Sequence, residues 1–331
     1  MNYFKSFSKR IKSGQIQDFE NQALELFHFQ AENNLIYREY LEYLRVKSRD
    51  ISSIQSIPFL PVSFFKNHKV VTGTFTEFDA CYTSSGTSGQ VSSRHYLRSK
   101  TFYLEHATAL FEMEYGSLKN YHILALLPSY LERKGSSLVD MVACFIERTE
   151  SDASGFYLFN HRDLIDNIQQ LQSGNRKILL IGVTFALLDM AEENLMESFI
   201  PNLMIMETGG MKGRRKEMIR EEVHGILKNK FRVDHVHSEY GMTELISQAY
   251  SKGEGIFTVP PTMGVYIRDV HDPFNMDTKK TGAINIIDLA NFNSCAFIET
   301  QDLGEKYEDG TFSVLGRIDN SELRGCNLMV N

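Results

Sequence analysis

The chain is 331 residues long, with 42% apolar residues and a net charge of −7 at pH 7. That length suffices for one large or two medium domains around a sizeable core. Acids and bases are interspersed with no basic tract, which argues against a nucleic-acid binder, and no apolar run approaches the ~20 residues of a membrane span.

Residues 1–15 carry several charges and no apolar signal-peptide core, so no secretion signal is expected. Phe19, Ala23, Leu26, Phe27, Leu35, Tyr40 and Leu44 recur at helical intervals, which predicts one or two surface helices over residues 17–46. Pro58 and Pro61 break helix inside the apolar stretch 57–66, which reads as a buried, extended crossing. Residues 69–71 and 78–81 read as short strands. Then comes a loop rich in serine, threonine and glycine, residues 82–90, and after it strands and helices alternate. Helix is predicted over 100–115, with Ser99 as its N-cap, and over 138–147, 162–171, 185–193 and 216–230. Strands are predicted over 122–127, 177–183, 203–207 and 233–237. This alternation implies an α/β fold, a largely parallel sheet with flanking helices. After Gly253 the pattern becomes short strands, over 256–259, 264–270, 283–289, 295–300 and 311–315, separated by Gly, Asn, Asp and Pro. The expected organisation is an N-terminal helical and extended segment (1–76), an α/β core (77–252) and a β-rich C-terminal subdomain (253–331), in one continuous globular unit. Cys81, Cys144, Cys295 and Cys326 show no C-x-x-C spacing, so reduced thiols and a cytoplasmic location are expected.

Several stretches carry chemistry. The first runs Tyr82, Thr83, Ser84, Ser85, Gly86, Thr87, Ser88, Gly89, Gln90 after a predicted strand. Its glycines allow a sharp bend, and its amides and hydroxyls can cradle a phosphate chain. It is no Walker loop, because Gln90 and Val91 stand where a lysine is needed, and no nucleophile elbow, because no G-x-S-x-G occurs. A plain surface turn is the alternative. Second, Gly209 and Gly210 follow a strand and let a flat ring approach the backbone. Tyr240, Gly241, Thr243 and Glu244 also follow a strand: the tyrosine suits stacking on a purine, and Glu244 suits a magnesium ion bridging phosphates. The competing reading is a strand-to-helix turn. Third, Asp302, in Thr300-Gln301-Asp302-Leu303-Gly304, ends a strand with an acceptor for ribose hydroxyls. Fourth, Arg317, in Gly316-Arg317-Ile318-Asp319, follows a tight turn and can donate to the sugar or to phosphate.

Other residues have open roles. His235 and His237 fit either a metal or polar residues near a site mouth. His95 fits either contact with a phosphate or acyl carboxylate or a solvated loop. Lys212, Arg214 and Arg215 fit either phosphate neutralisation or a solvated helix start. Cys81, Cys144 and Cys295 read as core filler.

Taken in order, residues 83–89, 240–244, 300–304 and 316–325 resemble the core motifs of adenylate-forming ligases. The resemblance implies ATP and Mg2+ as cofactors. Thr83, Ser84, Ser85, Gly86, Thr87, Ser88 and Gly89 would hold phosphates, Tyr240 and Gly241 the purine, and Asp302 and Arg317 the ribose, while Thr243 and Glu244 would be catalytic, Glu244 as the magnesium ligand; Gly209 and Gly210 are read as binding the nucleotide from their place after a strand. Two departures, the missing loop lysine and an ending at Asn331 without a small mobile C-terminal domain, resemble the acyl-protein synthetases of bacterial luminescence, the LuxE type. That family implies activation of a fatty acid as acyl-AMP, its transfer to a cysteine matching Cys326, and delivery to a reductase partner. A carboxylate–CoA or carrier-protein ligase of the phenylacetate–CoA ligase type, and a non-catalytic nucleotide- or acyl-binding subunit, are the alternatives. Leu323, Leu328, Met329 and Val330 leave open a buried terminal strand with Cys326 as filler.

Overall fold

Asn34 splits the first predicted helical stretch in two. In the computed structural model, which describes residues 3–14, 16, 18–84, 91–128, 135–196, 198–210, 215, 218–276 and 280–318, α1 (Tyr3–Lys12) precedes α2 (Phe19–Asn33) and α3 (Leu35–Tyr43). The Asn34 N–H still donates to Gln30, while its side chain accepts from the Tyr37 N–H at 3.0 Å. One short polar residue thus ends α2 and caps α3. The chain divides into two units: residues up to Phe64, Val70–Gly73 and those from Pro261 onward form one, and Phe65–Lys69 with Thr74–Pro260 form the other.

In the first unit, β11 (Met263–Arg268), β12 (Thr281–Asp288), β13 (Phe297–Lys306) and β14 (Phe312–Arg317) pair antiparallel in that order. β1 (Leu60–Pro61) lies parallel to β13, and the Val62 N–H after it donates to Glu299 at 2.9 Å. The expected extended crossing is therefore present, with Ile57, Phe59 and Leu60 buried. Phe27 and Tyr37 pack on Phe297 with ring centroids 5.8 and 6.0 Å away. Gln30, fully buried, donates to Asn291 and Ser294 carbonyls at 3.2 and 3.1 Å and accepts from the Ala296 N–H at 2.9 Å. Every polar atom of that amide is satisfied, as burial requires.

A single helical turn, α4 (Phe64–Asn67), leads into the second unit. There β2 (Ala80–Thr83) and β3 (Arg94–Leu97) form a hairpin. The main sheet is built from β4 (Tyr121–Leu126), β5 (Gly155–Tyr157), β6 (Lys177–Val183), β7 (Leu203–Thr208), β8 (Val236–Tyr240), β9 (Ala249–Ser251) and β10 (Ile256–Thr258). Its order is β10-β9-β8-β7-β6-β4-β5, parallel from β8 to β5 and antiparallel at β9 and β10. Ile123–Leu127 and 178–180 are wholly buried apolar runs, the signature of strands covered on both faces. The helices are α5 (Lys100–Tyr115), α6 (Ser137–Thr149), α7 (His161–Leu171), α8 (Thr184–Glu192) and α9 (Arg220–Phe231). Ser99 caps α5 by accepting from the Phe102 N–H at 3.1 Å.

Several strands differ from expectation in extent. Residues 69–71 form no strand; Thr72 makes only an isolated bridge to Asn34. The strand expected at 78–81 runs to Thr83, the one at 233–237 runs to Tyr240, and the one at 295–300 begins at Phe297 and continues to Lys306. Asp302 therefore lies inside a strand and not at its end, and Arg317 closes β14 instead of following a turn. Cys295 and Ala296 stay outside β13, with the Ala296 amide engaged by Gln30.

Candidate active site

Register puts the carboxyl ends of the parallel strands side by side: Val183 pairs with Thr208, and Thr208 with Glu239. Residues just past that edge are where open α/β sheets hold ligands. At the neck of the β2–β3 hairpin the Ser84 N–H donates to the Ser93 carbonyl at 3.1 Å, and the Ser93 N–H donates to Ser84 Oγ at 2.9 Å. The Thr83 N–H donates to Gly135 at 2.8 Å. Both ends of the phosphate-loop segment are thus pinned. Ser85, Gly86, Thr87, Ser88 and Gly89 lie outside the described residues, as do Lys212, Arg214, Asp319 and Cys326.

Tyr240 ends β8 with its ring edge-on to Phe257 at 5.9 Å and is 8% exposed. A Cβ on Gly241 would lie against the Glu239 carboxylate. The Leu245 N–H closes a turn onto Met242 at 3.1 Å, and Glu244 is 5% exposed. His95, on β3, is buried, and its Nδ1 lies 2.8 Å from the Thr243 carbonyl oxygen. The histidine is neither solvated nor on a loop, which corrects the solvated reading.

Beneath the Gly209-Gly210 turn sits a network that sequence reasoning did not assign. Glu207 is buried, pairs with Arg220 and accepts from Thr184 Oγ1 at 2.8 Å. Arg220 also donates to Ser238 Oγ at 3.0 Å. Burial pushes the Glu207 carboxyl up, but His224, the Arg220 charge, Ser238 and Thr184 outweigh it and hold the pKa below its ordinary value. Thr184 Oγ1 further donates to the Gly209 carbonyl at 3.2 Å, and Gly209 has φ +78°, a conformation that suits glycine. The signal available in the sequence was the position of Thr184 directly after a buried strand. Thr208 likewise donates to Glu239 on the neighbouring strand.

In the first unit, Asp302 and Arg317 are cross-strand partners, with Arg317 Nε 3.5 Å from Asp302 Oδ1. The Asp302 side chain is 10% exposed and that of Arg317 78%. Thr300 Oγ1 accepts from the Asp302 N–H at 3.1 Å and donates to Ile284 at 2.7 Å, which fixes the strand around the aspartate.

Other candidates take structural partners. Arg215 pairs with Asp189 and Glu192. His237 Nδ1 lies 3.3 Å from the Tyr115 hydroxyl, and burial lowers its pKa to about 4. Cys81, Cys144 and Cys295 are free thiols; Cys295 is fully buried, which pushes its pKa up to about 12. No helix among the described residues is long and apolar enough to cross a membrane.

The sequence matches the family described as "Acyl-protein synthetase, LuxE" over residues 11–331. The chain belongs to this family. It is 24% identical over 337 residues to the long-chain-fatty-acid–luciferin-component ligase of Aliivibrio fischeri, covering 92% of this chain and 85% of the relative. Among solved structures, the fold is similar to a 2-hydroxyisobutyryl-CoA ligase in its postadenylation state, with a TM-score of 0.65 at 12% identity over 91% of this chain and 67% of the other. It is also similar to ATP-bound MatB from Rhodopseudomonas palustris, with a TM-score of 0.51, 17% identity and 72% of this chain covered. The chain spans about half of MatB, 48% of its length. This member of the LuxE family thus shares the fold of adenylate-forming ligases.

The Glu244 carboxylate is of the donor type that a magnesium ion would need here. Magnesium takes one or two carboxylates together with substrate phosphates and keeps several waters. Glu244 supplies one such hard oxygen donor at the strand edge, and among the described residues no group of three or more His, Cys, Asp or Glu side chains forms an all-protein metal cage.

Proposed function

We propose that this LuxE-family protein activates a long-chain fatty acid as acyl-AMP and passes the acyl group to a thiol. The observation that carries the reading is the Tyr240–Glu244 turn at the carboxyl edge of the parallel sheet, with its carboxylate buried and its backbone tethered to the hairpin of the phosphate loop. The ligase name of the Aliivibrio fischeri relative supports the substrate class.

In this reading Thr83–Gly89 holds the phosphates, Gly209, Gly210, Tyr240 and Gly241 hold the purine, and Asp302 and Arg317 hold the ribose. Glu244 would hold magnesium, which when bound neutralises phosphate charge, with Thr243 beside it in the catalytic turn. A carboxylate oxygen of the fatty acid attacks the α-phosphorus of ATP. The bond to the β-phosphate oxygen breaks and pyrophosphate leaves. Positioning and charge neutralisation supply most of the rate, since little covalent work falls to side chains. A thiolate then attacks the acyl carbon, the bond to the phosphate oxygen of AMP breaks, and a thioester forms. Cys326 is the carrier in this proposal, a reductase the acceptor, and the cytoplasm the setting; three free thiols among the described residues agree with a reducing compartment.

Intact-mass spectrometry after incubation with ATP, magnesium and a long-chain acid tests this. The expected product is AMP plus an acyl adduct that hydroxylamine removes and that Cys326→Ala lacks. AMP formation only when coenzyme A is added would favour the CoA-ligase alternative. Neither AMP nor adduct under any condition would remove the enzymatic reading.

A further inference from the structure

We propose that His95 is a positioning residue that holds the peptide plane between Thr243 and Glu244, and so aims the magnesium-binding carboxylate. This rests on the reading that Glu244 holds magnesium. The two residues are far apart in sequence, yet His95 Nδ1 lies 2.8 Å from the Thr243 carbonyl oxygen. A carbonyl oxygen only accepts, so the contact assigns the proton to Nδ1. The ring is 1% exposed and meets Phe65 edge-on, centroids 5.8 Å apart and planes at 89°, which leaves it little rotational freedom. A peptide unit is planar, so fixing the Thr243 carbonyl also fixes the N–H of Glu244 and the direction in which that residue departs.

The far end of the lever is equally constrained. His95 is paired with Tyr82 across the hairpin, one register step from the Thr83–Arg94 pair. The Ser84 and Ser93 hydrogen bonds close the neck immediately beyond. The phosphate-loop hairpin and the magnesium carboxylate are therefore joined through one imidazole. The ring's Nδ1 meets the backbone of the Thr243–Glu244 turn, so the effect expected of it is on the metal-dependent part of nucleotide binding.

The test compares His95→Asn, His95→Gln and Glu244→Gln in the full chain. The readouts are the melting shift caused by ATP with and without magnesium, and the KM values for ATP and fatty acid. Asparagine places an amide N–H near the position of Nδ1, whereas glutamine places it one methylene farther out. The expected result is that His95→Gln loses about tenfold in magnesium-dependent ATP affinity, the effect of one lost hydrogen bond. Its magnesium-free ATP shift and its KM for fatty acid stay unchanged, and His95→Asn stays within about twofold of the parent. Nitrogen-labelled histidine NMR on the unsubstituted protein, which needs no folded variant, is expected to show the Nδ1–H form; a bare Nδ1 overturns the proposal. So does an asparagine variant as impaired as the glutamine one, or a parallel rise in both KM values. If Glu244→Gln loses the magnesium-dependent shift while both His95 variants keep it, the positioning role alone fails. If Glu244→Gln keeps it, the magnesium reading falls and this inference with it.

Discussion

The two candidate nucleotide-binding regions differ in how much of their order exists before any ligand arrives. At the Tyr240–Glu244 turn the two end residues, Tyr240 and Glu244, are buried, and the turn is tied by His95. Below the neighbouring Gly209 turn, Thr184 and Ser238 hydrogen-bond to the ion pair of Glu207 and Arg220. The Asp302–Arg317 pair is the opposite case: a shielded aspartate faces an arginine that is 78% exposed, across 3.5 Å. Exposed ion pairs of this kind contribute about 0–1 kcal/mol, so the arginine is only weakly held by its partner. The buried region is preorganised, and the exposed one is free to reorganise around a sugar or phosphate. Preorganised dipoles and charges cost no rearrangement during reaction, which suits the role proposed for Glu244.

The contrast breaks if the two regions respond alike to substitution. Glu244→Gln should give the largest effect, a fall of about a hundred- to a thousandfold in fatty-acid-dependent pyrophosphate exchange with the fold retained. Arg220→Met comes next. It strands the Glu207 carboxylate in the interior, and urea unfolding should show about 3–5 kcal/mol of lost stability.

A pH effect of the same buried region follows. Burial lowers the pKa of His106 and of His237 from 6.5 to about 4. The unfolded chain therefore takes up these protons first, so stability declines as pH falls from about 6.5 toward 4 and does not recover below that. His106→Gln should flatten that decline by roughly 3 kcal/mol in unfolding curves collected across the window. Arg317→Ala should do least: about a tenfold higher KM for ATP, with stability shifted by less than about 0.5 kcal/mol. A stability loss as large as that of Arg220→Met would erase the distinction.

What the sequence made legible was local. The turn after Tyr240 and the paired glycines at 209 and 210 announced themselves through residue types within a few positions of a strand, and β6 through an unbroken apolar run. What it hid depends on partners far along the chain. Nothing near Gln30 or Asn34 signals that both amides are completed by carbonyls around Ser294, more than 250 residues later. His95 looked like a loop residue because its burial comes from Phe65 and its hydrogen-bond partner from Thr243. Asp302 read as a strand end because the predicted strand stopped at Thr300. Instead the β13–β14 ladder absorbs an irregularity between Leu303 and Gly304 and continues. Glu207 stands two residues before Gly209, but nothing there marks it as an anchor, since Arg220 reaches it only after folding.

The central claim is that this fold activates a fatty carboxylate on ATP, and pyrophosphate exchange over a panel of carboxylic acids tests it most directly. The expected result is exchange that requires both magnesium and a long-chain acid, rises with chain length, and collapses in Glu244→Gln while surviving in Arg317→Ala with a raised KM for ATP. Exchange that is absent with every acid, or that persists undiminished in Glu244→Gln, would contradict the account.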